Sequence, residues 1–267
     1  MSGHPVDVRL SAGYCEYPPP ADLRDRVACT WVHRVGTAKE QPQPIILDGC
    51  VDIVAVGEMP PEIAGPATRT HLVRLLPLSM VVGIRFRPGA ARAVLKCSAA
   101  ELLDRNPDLR ELDRRSASIL GDELSAATSA AERRRAMENW VRARVQGEGM
   151  MDAPIVLAAR AMFKDRHQTV DRLADELGWS ARRLHRRFVA ACGYGPKMLQ
   201  RILRLQRAIR LARADGRPVL SLAGLAREAG FADQAHMTRD FRALTGLTPS
   251  GLLAGWNREV GRWLELE

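Results

Sequence analysis

Two stretches of the chain gather side chains able to hydrogen-bond a flat, patterned surface in a defined orientation. They are Ala181-Arg182-Arg183-Leu184-His185-Arg186-Arg187-Phe188 and Gln234-Ala235-His236-Met237-Thr238-Arg239-Asp240-Phe241. A guanidinium is a planar fork of donors, and a carboxamide sets a donor beside an acceptor. Arg can therefore pair bidentately with guanine and Gln with adenine. In each stretch two apolar residues stand four apart, Leu184 with Phe188 and Met237 with Phe241. On a helix they share one face and can anchor in a core. Arg182, Arg183, His185 and Arg186 are then left outside on the first helix, and Gln234, His236, Thr238 and Arg239 on the second. One arginine-rich helix face is ordinarily a solvated face; two, each with an aromatic anchor, favour a polyanionic partner.

The elements that must position these side chains repeat. Leu173-Ala-Asp-Glu-Leu-Gly178-Trp179 returns as Leu225-Ala-Arg-Glu-Ala-Gly230-Phe231, offset by 225 − 173 = 52 residues. Phe188, Gly193 and Pro196 return as Phe241, Gly246 and Pro249, offset by 53. Each copy reads as a short helix, a glycine at a sharp turn, a capping residue (Ser180 or Asp233) and a second helix, which is the helix-turn-helix plan. Between the copies, residues 196–214 predict a linker helix with Leu199, Ile202, Leu203 and Ile209 at helical spacing. Such a helix is about 28 Å long, comparable with one turn of B-DNA at roughly 34 Å. Arg201, Arg204, Arg207 and Arg210 along it read equally as linker charge or as phosphate contacts.

Charge is distributed accordingly. Residues 1–152 hold 20 Lys+Arg and 20 Asp+Glu (20 − 20 = 0), and residues 153–267 hold 20 and 11 (20 − 11 = +9), so the whole net charge of +9 sits in the C-terminal part. A basic domain behind a neutral one suggests DNA for the first and a separate task for the second. No apolar run approaches the roughly 20 residues of a membrane span, and the N-terminus lacks a secretory pattern, so a cytoplasmic protein without a membrane partner is expected. Cys15, Cys29, Cys50, Cys97 and Cys192 are separated by 14, 21, 47 and 95 residues. That spacing suggests neither a disulfide framework nor a zinc site, and the six histidines show no ligand spacing; no metal or other cofactor is expected.

The first hundred residues alternate like short strands at 27–34, 45–47, 50–56, 71–76 and 80–86, with Asp48-Gly49 suited to a two-residue hairpin turn. Ser98-Ala-Ala-Glu101 and Ser129-Ala-Ala-Glu132 have capping-box spacing, predicting helices near 99–104, 112–124 and 130–145. Residues 146–152, with two glycines, mark a boundary. The expected fold is α+β: a β-rich sensor-like domain over 1–110, a helical connector over 111–152, and an all-α domain of two helix-turn-helix units joined by a linker helix over 153–267.

The stretch from Glu228 to Pro249, EAGFADQAHMTRDFRALTGLTP, resembles the signature of the AraC/XylS family of transcription regulators, and the resemblance extends over about 155–256. It implies a sequence-specific DNA-binding regulator that sets two recognition helices in successive major grooves. It also implies that Arg182, His185, Arg186, Gln234, His236, Thr238 and Arg239 contact bases. Residues 14–19, 47–52, 65–66 and 83–89 are similar to a small sensor domain found ahead of such DNA-binding domains.

For that domain a small-molecule effector pocket is the functional reading, with Trp31, Asp52 and Arg85 as candidate lining; the alternative is that Trp31 is core and the charges cap turns. Cys50 is a candidate sensing thiol, although a buried inert cysteine is commoner. RNA polymerase and a second copy of the chain are further candidate partners, the helices over 112–145 being suited either to dimerising or to bracing the domains. Two rival classes remain: a sequence-indifferent architectural DNA binder, and an alkyl-transfer DNA-repair enzyme. The latter needs clustered thiolates that the cysteine spacing does not supply.

Overall fold

The computed structural model describes residues 9–10, 13–36, 42–145, 151–213 and 221–255. Alternating apolar residues in its N-terminal part build an antiparallel six-stranded sheet in the order β1 (Arg9–Leu10), β2 (Tyr14–Tyr17), β3 (Val27–Arg34), β8 (Met80–Phe86), β5 (Val51–Val56), β6 (Glu62–Ala64). Because side chains alternate across a strand, the cross-strand partners Thr30, Ile84 and Ile53 share one face. That face is covered by α3 (Arg114–Ala126) and α4 (Ala130–Arg144), whose Leu120, Leu124, Met137 and Trp140 join Val32, Ile53, Val82 and Phe86 in one core.

The helix starts are set locally. Asp113 accepts from the Ser116 amide, and Ser129 and Glu132 close a capping box. Asp113 also divides the expected 112–124 helix into α2 (Leu109–Leu112) and α3, its extended backbone serving as the cap between them. The Ser98 capping box opens a 3₁₀ turn, Ala99–Leu102, rather than a longer helix. In packing terms the helices read as a connector belong to the N-terminal core.

One expectation is overturned. Asp48-Gly49 closes no hairpin, because β4 (Pro42–Ile45) pairs with β7 (His71–Arg74) in a separate two-stranded sheet, whereas β5 pairs with β6 and β8. Gly49 does take a positive φ of 81°, but burial decides where the chain goes. Ile46 and Leu47 are buried in the core of the C-terminal domain, so they cannot turn back onto β5.

Among the described residues the C-terminal domain is all helical: α5 (Ala153–Lys164), α6 (Val170–Glu176), α7 (Ala181–Cys192), α8 (Pro196–Arg213), α9 (Leu222–Ala229), α10 (Gln234–Thr245) and α11 (Pro249–Gly255). Asp152 caps α5 at the expected boundary; residues 146–150 and 214 lie outside the described residues. Leu199, Ile202, Leu205 and Ile209 of α8 share one core with Phe188 of the first unit and Phe241 of the second. No helix among the described residues is long and apolar enough to cross a membrane.

Candidate nucleic-acid interface

The two units are built by the same local devices. α6 is followed by Gly178 at φ 61°, then α7 starts at Ser180, whose side chain accepts from the Arg183 amide. α9 is followed by Gly230 at φ 90°, then α10 starts at Asp233, whose carboxylate accepts from the His236 amide at 2.6 Å. Only glycine adopts such left-handed backbone without strain, and each N-cap satisfies a free donor of the helix it opens. α7 and α10 end on Gly193 and Gly246, again left-handed. The anchors Leu184, Phe188, Met237 and Phe241 are fully buried, which fixes the face each helix turns outward.

Arg182, Arg183, His185 and Arg186 are all exposed on α7, as are Gln234 and Arg239 on α10. The remaining two expected residues are more constrained. His236 is partly buried: its Nδ1 accepts from the Ala232 amide, its ring meets Phe231 edge-on, and its Nε2 lies 3.5 Å from Asp240. The Thr238 hydroxyl donates to the Gln234 carbonyl. On α7, Arg183 stacks over Trp179, and His185 lies against Gly195, where a Cβ would stand 2.6 Å from its Nε2.

The arginines therefore divide into two groups. Arg187 pairs bidentately with Asp152, Arg201 and Arg204 converge on Asp240, and Arg207 donates to the Ala229 carbonyl. These hold helices together. Three of the four linker arginines left open by the sequence, Arg201, Arg204 and Arg207, thus have protein partners. Arg182, Arg186 and Arg239 make no hydrogen bond or ion pair with any described residue.

In the N-terminal domain Trp31, Asp52 and Arg85 come together on the sheet face opposite α3 and α4. The Trp31 indole donates to Asp52 at 2.9 Å and lies over Gly83, where a Cβ would collide with its ring. Arg85 grips Asp52 at 3.0 Å, Asp48 at 3.1 Å and Glu16 at 3.4 Å. Three carboxylates around one buried guanidinium leave excess negative charge out of water, and burial pushes the Asp52 carboxyl up to about 6 against the pull of Arg85. Burial likewise raises the Cys29 and Cys50 thiols, the reverse of what a reactive thiolate requires.

Sequence reasoning missed the residues that join the domains. The Tyr194 hydroxyl donates to the Gly49 carbonyl at 2.6 Å, the Gln206 amide donates to the Leu47 carbonyl, and both donors are buried. Asp48, between those two carbonyls, is the residue held by Arg85. Only the Asp-Gly pair gave a sequence signal here, and it pointed to a hairpin.

Residues 173–255 match a family model described as a helix-turn-helix domain. The match spans both units and the helix between them. These residues form a helix-turn-helix domain of the AraC type. With that domain the protein is a DNA-binding transcription regulator. Residues 15–108 match a second model, described as a domain of unknown function. No curated protein matches this regulator by sequence. Among solved structures it is similar to ToxT from Vibrio cholerae O395, at 12% identity and a TM-score of 0.44 over 85% of this chain and 97% of that one. It is also similar to ToxT from strain SCE256 bound to an unsaturated fatty acid, at 11% identity and a TM-score of 0.38 over 95% and 97%.

Proposed function

We propose that this regulator reads DNA sequence by placing the N-terminal halves of α7 and α10 in successive major grooves on one side of the duplex. Arg182, Arg186 and Arg239 supply bidentate donors for guanine and Gln234 an amide for adenine, while Arg183 and His185 flank them. His236 and Thr238 shape α10 and contribute at its edge. One observation carries this reading: Arg182, Arg186 and Arg239 have no partner among the described residues, whereas neighbouring Arg187, Arg201, Arg204 and Arg207 are all spent on the protein itself. Charged donors left without a counter-ion on two reading helices of a basic domain favour base edges and phosphate.

The domain boundaries that fit this reading are a sensor domain over 1–110, a helical segment over 111–152 and the DNA-binding domain over 153–267. A small-molecule effector acts through the first of these. Trp31, Asp52 and Arg85, which converge on one face of the sheet, are the proposed lining of its site. A second copy of the chain and RNA polymerase complete the expected partners.

Selection of bound duplexes from a random pool, followed by footprinting, tests the DNA reading. The expected result is a defined motif protected over two adjacent helical turns. Recovery of unrelated sequences with no common motif would favour the architectural alternative.

A further inference from the structure

The C-terminal ends of both reading helices are held by the N-terminal domain. Helix geometry leaves the last carbonyls of α7 and α10 without intrahelical donors, and the N-terminal domain supplies donors to both. The Ser98 hydroxyl donates to the Ala190 carbonyl at 3.1 Å, and the Thr70 amide donates to the Leu244 carbonyl at 2.8 Å. Pro66 presses on Gly193 so closely that a Cβ there would stand 2.6 Å from its Cγ. Residues 66–70 thus reach from the end of α7 to the end of α10, and Ala67 packs on the C-terminal core on the way.

This strap is itself pinned. Both Asp104 carboxylate oxygens accept from Thr68, one from its amide at 2.7 Å and one from its hydroxyl at 2.6 Å. The Asp104 amide donates to the Pro66 carbonyl, and the Gly65 amide to the Arg105 carbonyl. Asp104 holds this position at a φ of 55°, left-handed backbone that a non-glycine residue adopts at a cost. A surface aspartate kept in strained backbone with its carboxylate fully committed to one loop fits a demand for fixed geometry.

We infer that Asp104 is a positioning residue for DNA recognition: through the strap 66–70 it sets the mutual placement of α7 and α10 and thereby the spacing between the two base-pair sets they accept. The inference rests on the reading that both helices enter one duplex. It assigns the N-terminal domain a part in operator choice that requires no effector.

Asp104→Gly removes both acceptors and relieves the left-handed strain, so it does not threaten folding; Asp104→Asn tolerates the same backbone and keeps the acceptor for the Thr68 amide. Both are tested as full-length protein on the selected duplex and on versions with one base pair added or removed between the half-sites. For the wild type, each spacing change should weaken binding about tenfold or more, the scale of losing one reading helix's base contacts. In Asp104→Gly the penalty should fall below about threefold, with binding to random duplex unchanged, and Asp104→Asn should lie between. Exchange of the Thr70 amide, measured without DNA, should quicken in the same order.

An Asp104→Gly protein that keeps the wild-type spacing penalty, or whose Thr70 amide exchanges at the wild-type rate, overturns the inference. A wild-type protein indifferent to spacing instead overturns the two-helix reading, and the strap's role with it.

Discussion

Replacing Asp240 with Ala should loosen the second reading helix without removing any side chain proposed to meet a base. Asp240 lies on the inner side of α10, where its buried carboxylate accepts from Arg201 at 2.8 Å and Arg204 at 3.2 Å, both on α8. Removing one partner of a fully buried ion pair costs about 3–5 kcal/mol, because the remaining charge stays unpaired. Here the arginine side chains are 34% and 21% exposed and can recover water. The loss should therefore be about half as large, near 1.5–2.5 kcal/mol. Asn keeps the volume and one acceptor, so Asp240→Asn should lose only about 1 kcal/mol. Urea unfolding of the full-length protein measures the change in midpoint, and hydrogen exchange locates it. Faster exchange should be confined to α8–α10, with α3 and α4 unaffected. An Asp240→Ala protein within about 0.5 kcal/mol of wild type would show that this triad does not hold α10 to α8.

Other consequences follow from the packing and titration of named groups. Gly49→Ala adds a Cβ that would stand 2.8 Å from the Tyr194 hydroxyl at a φ of 81°. It should cost about 2–3 kcal/mol in thermal unfolding, combining backbone strain with a lost buried hydrogen bond; an unchanged melting temperature would mean the 46–50 loop is not seated on the C-terminal domain. Phe188→Ala empties a fully buried anchor and should cost about 3–5 kcal/mol in urea. Asp52 titrates near 6 when folded, above the unfolded value of about 3.9. The folded state then binds a proton that the unfolded state has lost, so this group's contribution to stability is full below about pH 4 and disappears as pH rises through about 6. Asp52→Asn should flatten that part of the stability profile, and an identical slope in the variant would place the titration elsewhere.

The C-terminal domain was legible because its determinants are local. Ser180 and Asp233 cap, Gly178 and Gly230 turn, and Leu184, Phe188, Met237 and Phe241 mark the inner face, all within a few residues of one another. The second copy of the pattern showed that the first was not chance. His236 was harder to place, since its contacts to Ala232, Phe231 and Asp240 depend on how the turn folds over the helix. In the N-terminal domain strand alternation located β3, β5 and β8, and the candidate trio Trp31, Asp52 and Arg85 does converge. Glu16 and Asp48 went unseen because they reach Arg85 only through tertiary folding. The Asp48-Gly49 signal misled for the same reason: a positive-φ glycine fits many turns, and the burial of Ile46 and Leu47 against a domain more than a hundred residues away chose among them. Asp104 and Thr70 carry no sequence pattern, since their partners lie 36 and 174 residues away.

The central claim is that unpaired side chains on α7 and α10 read base edges. Arg239→Ala tests it most directly, by competition of the selected duplex against random DNA at fixed salt. The wild type should prefer its motif by about a thousandfold or more. The variant should lose about 1–3 kcal/mol on that motif and little on random DNA, with the preference relaxed at one position. Equal weakening on both would make Arg239 a phosphate contact and contradict the account.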